Sequence, residues 1–95
     1  MANYHLSKDA DQDLAEIYEY SILNFGLMTA REYYAGLIQT FENLCDNLHI
    51  GRLRSEIRPD LRSITYHNHV VFYRVAHDEI IILRVLHGSR DVKEI

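Results

Sequence analysis

In the segment Val70-Val71-Phe72-Tyr73-Arg74-Val75-Ala76-His77-Asp78-Glu79-Ile80-Ile81-Ile82-Leu83-Arg84-Val85-Leu86-His87, β-branched, aromatic and other apolar residues gather in two runs. Only the stretch from Ala76 to Glu79 separates them. That pattern predicts two strands joined by a short polar connection, a β-hairpin. In the second run Ile80-Ile81-Ile82-Leu83 is apolar at successive positions. Neighbouring strand residues point to opposite faces, so both faces of this strand need cover and the strand is central. The helices of so short a chain cover one face, which leaves the other as a candidate surface for a partner.

Composition narrows the class. The 95 residues are 47% hydrophobic and 25% charged, with one Pro and four Gly, which predicts one folded domain over 1–95 rather than a disordered or repetitive chain. A domain of this size buries only about 60 to 70% of the surface its unfolded chain exposes, so a bound partner adds usefully to its stability. The single cysteine, Cys45, has no intramolecular partner and fits a reducing cytosol. No apolar run approaches the ~20 residues that span a bilayer, and the N-terminus lacks a signal-peptide pattern. The expected location is cytoplasmic, with no membrane partner.

The net charge of −4 is unevenly spread. Residues 1–49 carry two basic residues, Lys8 and Arg31, against eight acidic ones, whereas residues 50–95 carry eight basic against six acidic. Arg52, Arg54, Arg58 and Arg62 lie close together and make a candidate cationic rim for an acidic partner segment. The patch is too small to supply the many phosphate contacts of tight nucleic-acid binding, so direct sequence-specific binding of nucleic acid is not expected. A plain solvated loop is an equal alternative for it.

Upstream of the hairpin, Leu61 to Tyr66 alternates as a strand, and His67-Asn68 turn it into the next one. Gly51 to Pro59 has no period and holds the only proline, so it reads as a connection without an element of its own. Before it, Ala30, Tyr34, Leu37, Phe41, Leu44 and Leu48 recur at steps of four and three, the stripe of a helix beginning near Met28 or Thr29. Gly36 inside that helix costs about 1 kcal/mol relative to Ala and implies close approach of another backbone. An earlier helix runs from about Lys8 to Phe25, with Ala10, Leu14, Ile17, Ser21 and Phe25 as its stripe, Ser7 as N-cap and Gly26 as stop. Gly26 and Leu27 alone separate the two helices, which therefore fold back as a hairpin. Asn3 to Ser7 is a short first strand. The order is β-α-α-β-β-β, an α+β domain with an antiparallel sheet of three consecutive strands and the helical hairpin on one face.

Chemistry-bearing residues have structural readings beside functional ones. Asp13 and Glu16 suit an acid/base pair, but on an amphipathic helix such carboxylates usually form its wet face. Tyr18, Tyr20, Tyr33 and Tyr34 suit an aromatic platform for bases, yet at helical spacing packing is the favoured reading. His67 and His69, with His77 or His87, begin a zinc set that no cysteine or carboxylate completes, so no metal and no cofactor is expected. Cys45 beside Leu44 reads as a small buried hydrophobe rather than a nucleophile.

A family resemblance emerges from these residues taken together. Leu6-Ser7 with Ala10, Asp13-Leu14 and Ile17, the Phe25-Gly26 turn, and Gly51-Arg52 with Glu56-Ile57-Arg58-Pro59 and Leu61-Arg62 form its first part. His69-Val70-Val71-Phe72-Tyr73-Arg74 and the ending Arg84-Val85-Leu86-His87-Gly88-Ser89-Arg90-Asp91 complete it. In order and spacing they resemble the ParE branch of the RelE/ParE toxin superfamily over nearly the whole chain. The resemblance implies a toxin of a type II toxin-antitoxin module that binds DNA gyrase, traps it on cleaved DNA, and forms a hetero-oligomer with a ParD-like antitoxin that wraps it. Arg58, Arg62 and Arg74 are the expected antitoxin contacts; Arg84, His87 and Arg90 are the expected target contacts. No catalytic residue is expected.

The rival within the superfamily is the RelE-type ribonuclease, which cuts messenger RNA on the ribosome with basic residues and a terminal Tyr or His. Several such relatives carry a catalytic Arg just after the equivalent of His69 and a His-Tyr pair near the chain end. This sequence has Val70 and Gly88-Ser89 there. Arg62, Arg74, Arg84 and His87 are what remains for a substitute site. A non-toxic interaction module of the same fold is the third reading.

Overall fold

A computed structural model describes residues 2–90, Val92 and Ile95; Asp91, the last residue of the resemblance, lies outside them. Its elements are β1 (Tyr4–Leu6), α1 (Lys8–Phe25), α2 (Leu27–Asp46), β2 (Arg52–Leu53), β3 (Arg62–Tyr66), β4 (His69–Ala76) and β5 (Glu79–His87). The α+β architecture with a helical hairpin is as the sequence predicts. Two features of the sheet correct the prediction. It has five strands in the order β1-β5-β4-β3-β2, and it is mixed, because β1 pairs parallel to β5 while the other pairs are antiparallel. β5 is therefore inside the sheet, as its four successive apolar residues require.

The β4–β5 turn is two residues long, and both, His77 (φ 53°) and Asp78 (φ 60°), take the left-handed conformation of a type I′ hairpin. The register shifts between Phe72 and Tyr73, which face Arg84 and Ile82, so β5 carries one residue more than β4 at Leu83.

Ser7 caps α1 by accepting from the Ala10 N–H at 3.0 Å, and Asp9 and Asp11 occupy the favourable first turn. Gly26 (φ 88°) is the whole link between the helices; α2 starts at Leu27, one or two residues before the expected Met28 or Thr29. The main core lies between hairpin and sheet, built from Ala10, Leu14, Leu37, Phe41 and Leu44 against Val71, Tyr73, Ile80, Ile82 and Val85. The Tyr73 phenol is buried there and satisfied on both sides: it accepts from the Gly51 N–H at 2.8 Å and donates to the Leu48 carbonyl at 3.1 Å. A Cβ on Gly51 would overlap this ring.

Three expectations fail because of particular tertiary contacts. The connection after α2 contains a strand, β2, because Tyr73 and the Arg62 guanidinium, which donates to the carbonyls of His49 and Gly51, tie the chain beside β3. The close approach at Gly36 comes from a side chain, since its missing Cβ leaves room for the Tyr66 phenol. The second face of the sheet is partly covered by the chain itself, where Leu61, Phe72 and Leu86 pack with Ile57, Val70, Leu83, Val92 and Ile95.

Asp13 departs furthest from its expected place. It is only 6% exposed and forms a bidentate pair with Arg84, whose Nε and Nη2 donate to its two oxygens at 2.8 and 2.9 Å. The Val85 N–H donates to Asp13 Oδ2 at 2.9 Å. Ser7 adds its own backbone N–H to the Ile82 carbonyl at 2.9 Å and its hydroxyl to the Leu83 carbonyl at 2.8 Å. β1 ends at Leu6, opposite Ile82, so α1 takes over the polar edge of β5 that β1 leaves open.

Removing one partner of a buried ion pair commonly costs about 3 to 5 kcal/mol. The Arg84 side chain is 19% exposed, so Asp13→Asn, which keeps an acceptor for Val85, is expected to cost about 2 to 3 kcal/mol. Asp13→Ala also orphans the Val85 N–H and should cost more. Urea midpoints of the two variants measure the order; equal midpoints would show that the Val85 bond contributes nothing.

Candidate functional site

Where α1 leaves the sheet, a groove of about 700 Å³ opens between the helices and the strand ends. Glu16, Ile17, Tyr20 and Phe25 of α1 form one wall, and Thr29 and Tyr33 of α2 continue it. Asn68 from the β3–β4 turn and His69 at the start of β4, with Val85 to His87 and Arg90, form the other. The lining is mostly apolar, with acidic groups at the α1 side and Arg90 at the opposite end.

Sheet register brings its polar centre together. His69 and His87 are cross-strand partners, and their rings meet edge to face at 5.6 Å. The Tyr33 hydroxyl is hydrogen-bonded to His69 Nδ1 at 2.6 Å and also reaches the Tyr66 carbonyl at 3.3 Å. His87 Nδ1 accepts from the Ser89 N–H at 3.2 Å and meets the Ser89 hydroxyl at 2.7 Å. Burial, and then the nearby His87, hold the His69 imidazole below its usual pKa. Burial raises the Tyr33 hydroxyl, outweighing an opposing backbone hydrogen bond at Asn68. Both groups are accordingly kept neutral near pH 7. The arrangement offers an acid/base couple and a hydrogen-bonding floor, with the Arg90 guanidinium as its cation.

Of the expected target contacts, His87 and Arg90 line this groove, while the Arg84 guanidinium is engaged with Asp13 beneath it. The expected antitoxin contacts are not gathered in one place. Arg58 donates to the Ile95 carbonyl at 3.3 Å, and Arg74, exposed, projects from the face opposite Tyr73. Arg62 instead turns to the carbonyls after α2. Tyr33, Asn68 and His69 were not singled out together by the sequence; the two-residue turn alone would set His69 opposite Leu86, and the extra residue at Leu83 that brings His87 there instead leaves no sequence signal. Tyr33 packs against Tyr66 and Tyr18 against Tyr34, but Tyr20 is exposed and does not pack into the core. Cys45 sits at the core edge with its thiol on the Phe41 carbonyl, and burial raises its pKa. Among the described residues no three His, Cys, Asp or Glu side chains converge as a metal set, and no helix is long and apolar enough to cross a membrane.

Comparison with known proteins places this geometry in a lineage. The family described as "ParE toxin of type II toxin-antitoxin system, parDE" matches residues 4–92. The chain belongs to the ParE toxin family. Toxin ParE1 of Mycobacterium tuberculosis is 35% identical over 92 residues, 96% of this chain and 94% of that protein. Toxin ParE1 of Caulobacter vibrioides is 34% identical, covering 98% and 96%. A chain of the chromosomal ParDE TA system from P. aeruginosa has the same fold, with TM-score 0.78 and 24% identity over 92% of this chain and 95% of that one. A chain of the YoeB-YefM toxin-antitoxin complex of Staphylococcus aureus is similar at TM-score 0.60 and 20% identity, over 93% and 98%. This ParE-type chain is thus the toxin component of a type II module.

The depressed pKa of His69 carries a pH signature. The folded protein binds this proton less readily than the unfolded chain, so the contribution is present above the unfolded value of about 6.5 and is lost as pH falls below it. His69→Gln keeps a partner for Tyr33 and removes the titration. The stability of the wild type relative to this variant is expected to decrease from pH 7.5 to 5.5 in urea melts. A constant difference would place His69 in a solvated setting.

Proposed function

We propose that this protein arrests DNA gyrase by binding it, without catalysing a reaction, and that a ParD-like antitoxin holds it inactive in a cytoplasmic hetero-oligomer. Membership of the ParE family supports the class. The observation that carries the mechanism is Val70. Where ribonuclease relatives place a catalytic Arg, this chain has an apolar side chain packed into the second cluster with Phe72 and Leu86. Phosphoryl chemistry needs cations fixed on the scissile phosphate, and here Arg84 is engaged with Asp13 while His69 is held neutral. His87 and Arg90 then serve as target contacts, and Arg84 serves by fixing the strand end that presents them.

The antitoxin segment fits the opposite surface. Beyond Ser63, the outer edge of β3 has no strand neighbour among the described residues, which suits strand addition, and Arg58 and Arg74 offer charge to an acidic-hydrophobic segment. Arg62 stays with the carbonyls it caps. Reversing Arg58 and Arg74 to Glu should weaken antitoxin binding at least tenfold and reduce its salt dependence. Unchanged affinity in a titration by calorimetry would move the contact elsewhere.

One observation favours a second reading, cleavage of messenger RNA on the ribosome: Tyr33, His69, His87 and Arg90 share one groove. A single assay pair separates the two. Under the binding reading the purified protein inhibits supercoiling and leaves cleaved DNA, ribosome-bound messenger RNA stays intact, and His87→Ala lowers potency only modestly. Loss of a general acid or base removes about 10² to 10⁴-fold. Cleavage of messenger RNA by the wild type, abolished by His87→Ala or His69→Gln, would establish the nuclease instead.

A further inference from the structure

The tip of the helical hairpin exposes apolar residues that the fold does not use. Tyr20, Leu23, Phe25, Leu27 and Met28 are 46 to 77% exposed, and none belongs to either hydrophobic cluster. Apolar side chains scattered singly on a surface need no explanation, but five within nine residues form a patch. Ser21 is the last buried residue of α1 and Ala30 the first of α2, so the turns between them extend past the sheet.

The patch is rigid. Gly26 is its only non-helical residue, the Gly26 N–H closes on the Ile22 carbonyl, and the Ala30 N–H closes on the Gly26 carbonyl. Asn24 donates to the Tyr20 carbonyl at 2.8 Å, and the Tyr20 and Phe25 rings meet edge to face at 6.4 Å. A preorganised apolar knob of aromatic residues, Leu and Met loses little entropy on binding and has the composition of an interface centre. One turn away on the same helices stand Glu16 beside Tyr20, Glu19 beside Leu23 and Glu32 beside Met28, with Arg31 as the only cation of this rim among the described residues.

We propose that this knob is the surface by which the toxin seizes its macromolecular target, and that the target presents an apolar socket ringed by Lys and Arg. Charge decides among occupants. An acidic-hydrophobic antitoxin segment would be repelled by the Glu16, Glu19 and Glu32 rim, whereas it suits the arginine side of the molecule. A second copy would set one acidic rim against another if the contact were two-fold. Continuity points the same way, because Tyr20 and Phe25 also line the groove that holds His87 and Arg90. The proposal rests on the reading that the protein acts by gripping a target.

The test uses the full chain carrying Leu23→Ser with Met28→Ser, and separately Glu19→Lys, with purified gyrase, purified antitoxin and expression in growing cells. Both variants should keep the wild-type melting temperature and antitoxin affinity. The double variant should need at least tenfold more protein to inhibit supercoiling and should fail to arrest growth. Glu19→Lys should weaken action as well, because it sets a cation against a basic rim. Growth arrest by the double variant at wild-type levels overturns the proposal. So does lost antitoxin affinity, or a wild-type dimer in sedimentation that the double variant abolishes, since each names another occupant. Stronger action by Glu19→Lys overturns the basic socket. Wild-type protein that arrests growth without touching supercoiling counts against gyrase alone, and the tip is then judged on growth arrest.

Discussion

The docking of α1 on β5 is the constraint from which the rest of the molecule follows. β5 is the one strand that pairs on one side with a three-residue strand, so most of its length there has backbone groups and no strand to receive them. The start of α1 receives them instead: Ser7 takes the carbonyls of Ile82 and Leu83, and Asp13 takes the Val85 N–H together with the Arg84 guanidinium. An apolar interface alone tolerates sliding by a fraction of a turn. A buried carboxylate with three donors in fixed directions does not, and an unpaired buried charge is strongly unfavourable. The net energy of the pair is modest; what it supplies is register between helix and sheet.

That register has consequences at both ends of the hairpin. The polar anchorage of α1 is confined to its first half, while its last turn leaves the sheet behind. The separation that results is the groove, with Asp13 at its base, His69 and His87 on the strand side and Tyr33 across from them. The same overhang lifts Leu23, Phe25 and Met28 into water. The groove and the exposed tip are one geometric outcome, set by where the helix is tied down and how long it runs beyond that point.

Much of the frame was legible in the sequence because it depends on period. The alternation in Leu61–Tyr66, the double-faced apolar run at Ile80–Leu83 and the stripe through Leu37, Phe41 and Leu44 each have one physical interpretation. What was not legible depends on a partner remote in sequence. Asp13 looks like any other carboxylate on a polar helix face until Arg84, 71 residues away, is brought beside it. β2 exists because of Tyr73 and Arg62, and Gly36 because of Tyr66; neither pairing leaves a local pattern. Phe25 continues its stripe in sequence but not in burial, since a helix stripe does not record where the opposing sheet ends, whereas Tyr34, between buried Ala30 and Leu37, turns aside onto Tyr18 of α1. Of the site, His87 and Arg90 stood out through the resemblance, whereas Tyr33 and His69 needed the strand register to be known.

The groove is built on a frame that other toxin-antitoxin chains share. Its backbone resembles both a ParDE chain and a YoeB-YefM chain, and at those identities the likeness concerns the fold alone. What the groove can do chemically therefore rests on this chain's own side chains. A site that stabilises a phosphorane needs permanent positive charge close to the reacting atoms. Here Val70 turns into the second apolar cluster, and the guanidinium of Arg84 is spent on a carboxylate that the fold requires. His69 is pressed toward neutrality by burial and by His87. A neutral, hydrogen-bonded histidine beside a tyrosine offers donors and acceptors but no fixed charge to set against developing negative charge. The contacts that make the fold specific thus engage Arg84 and partly bury Val70, and among the described lining residues Arg90 is the cation that the groove keeps.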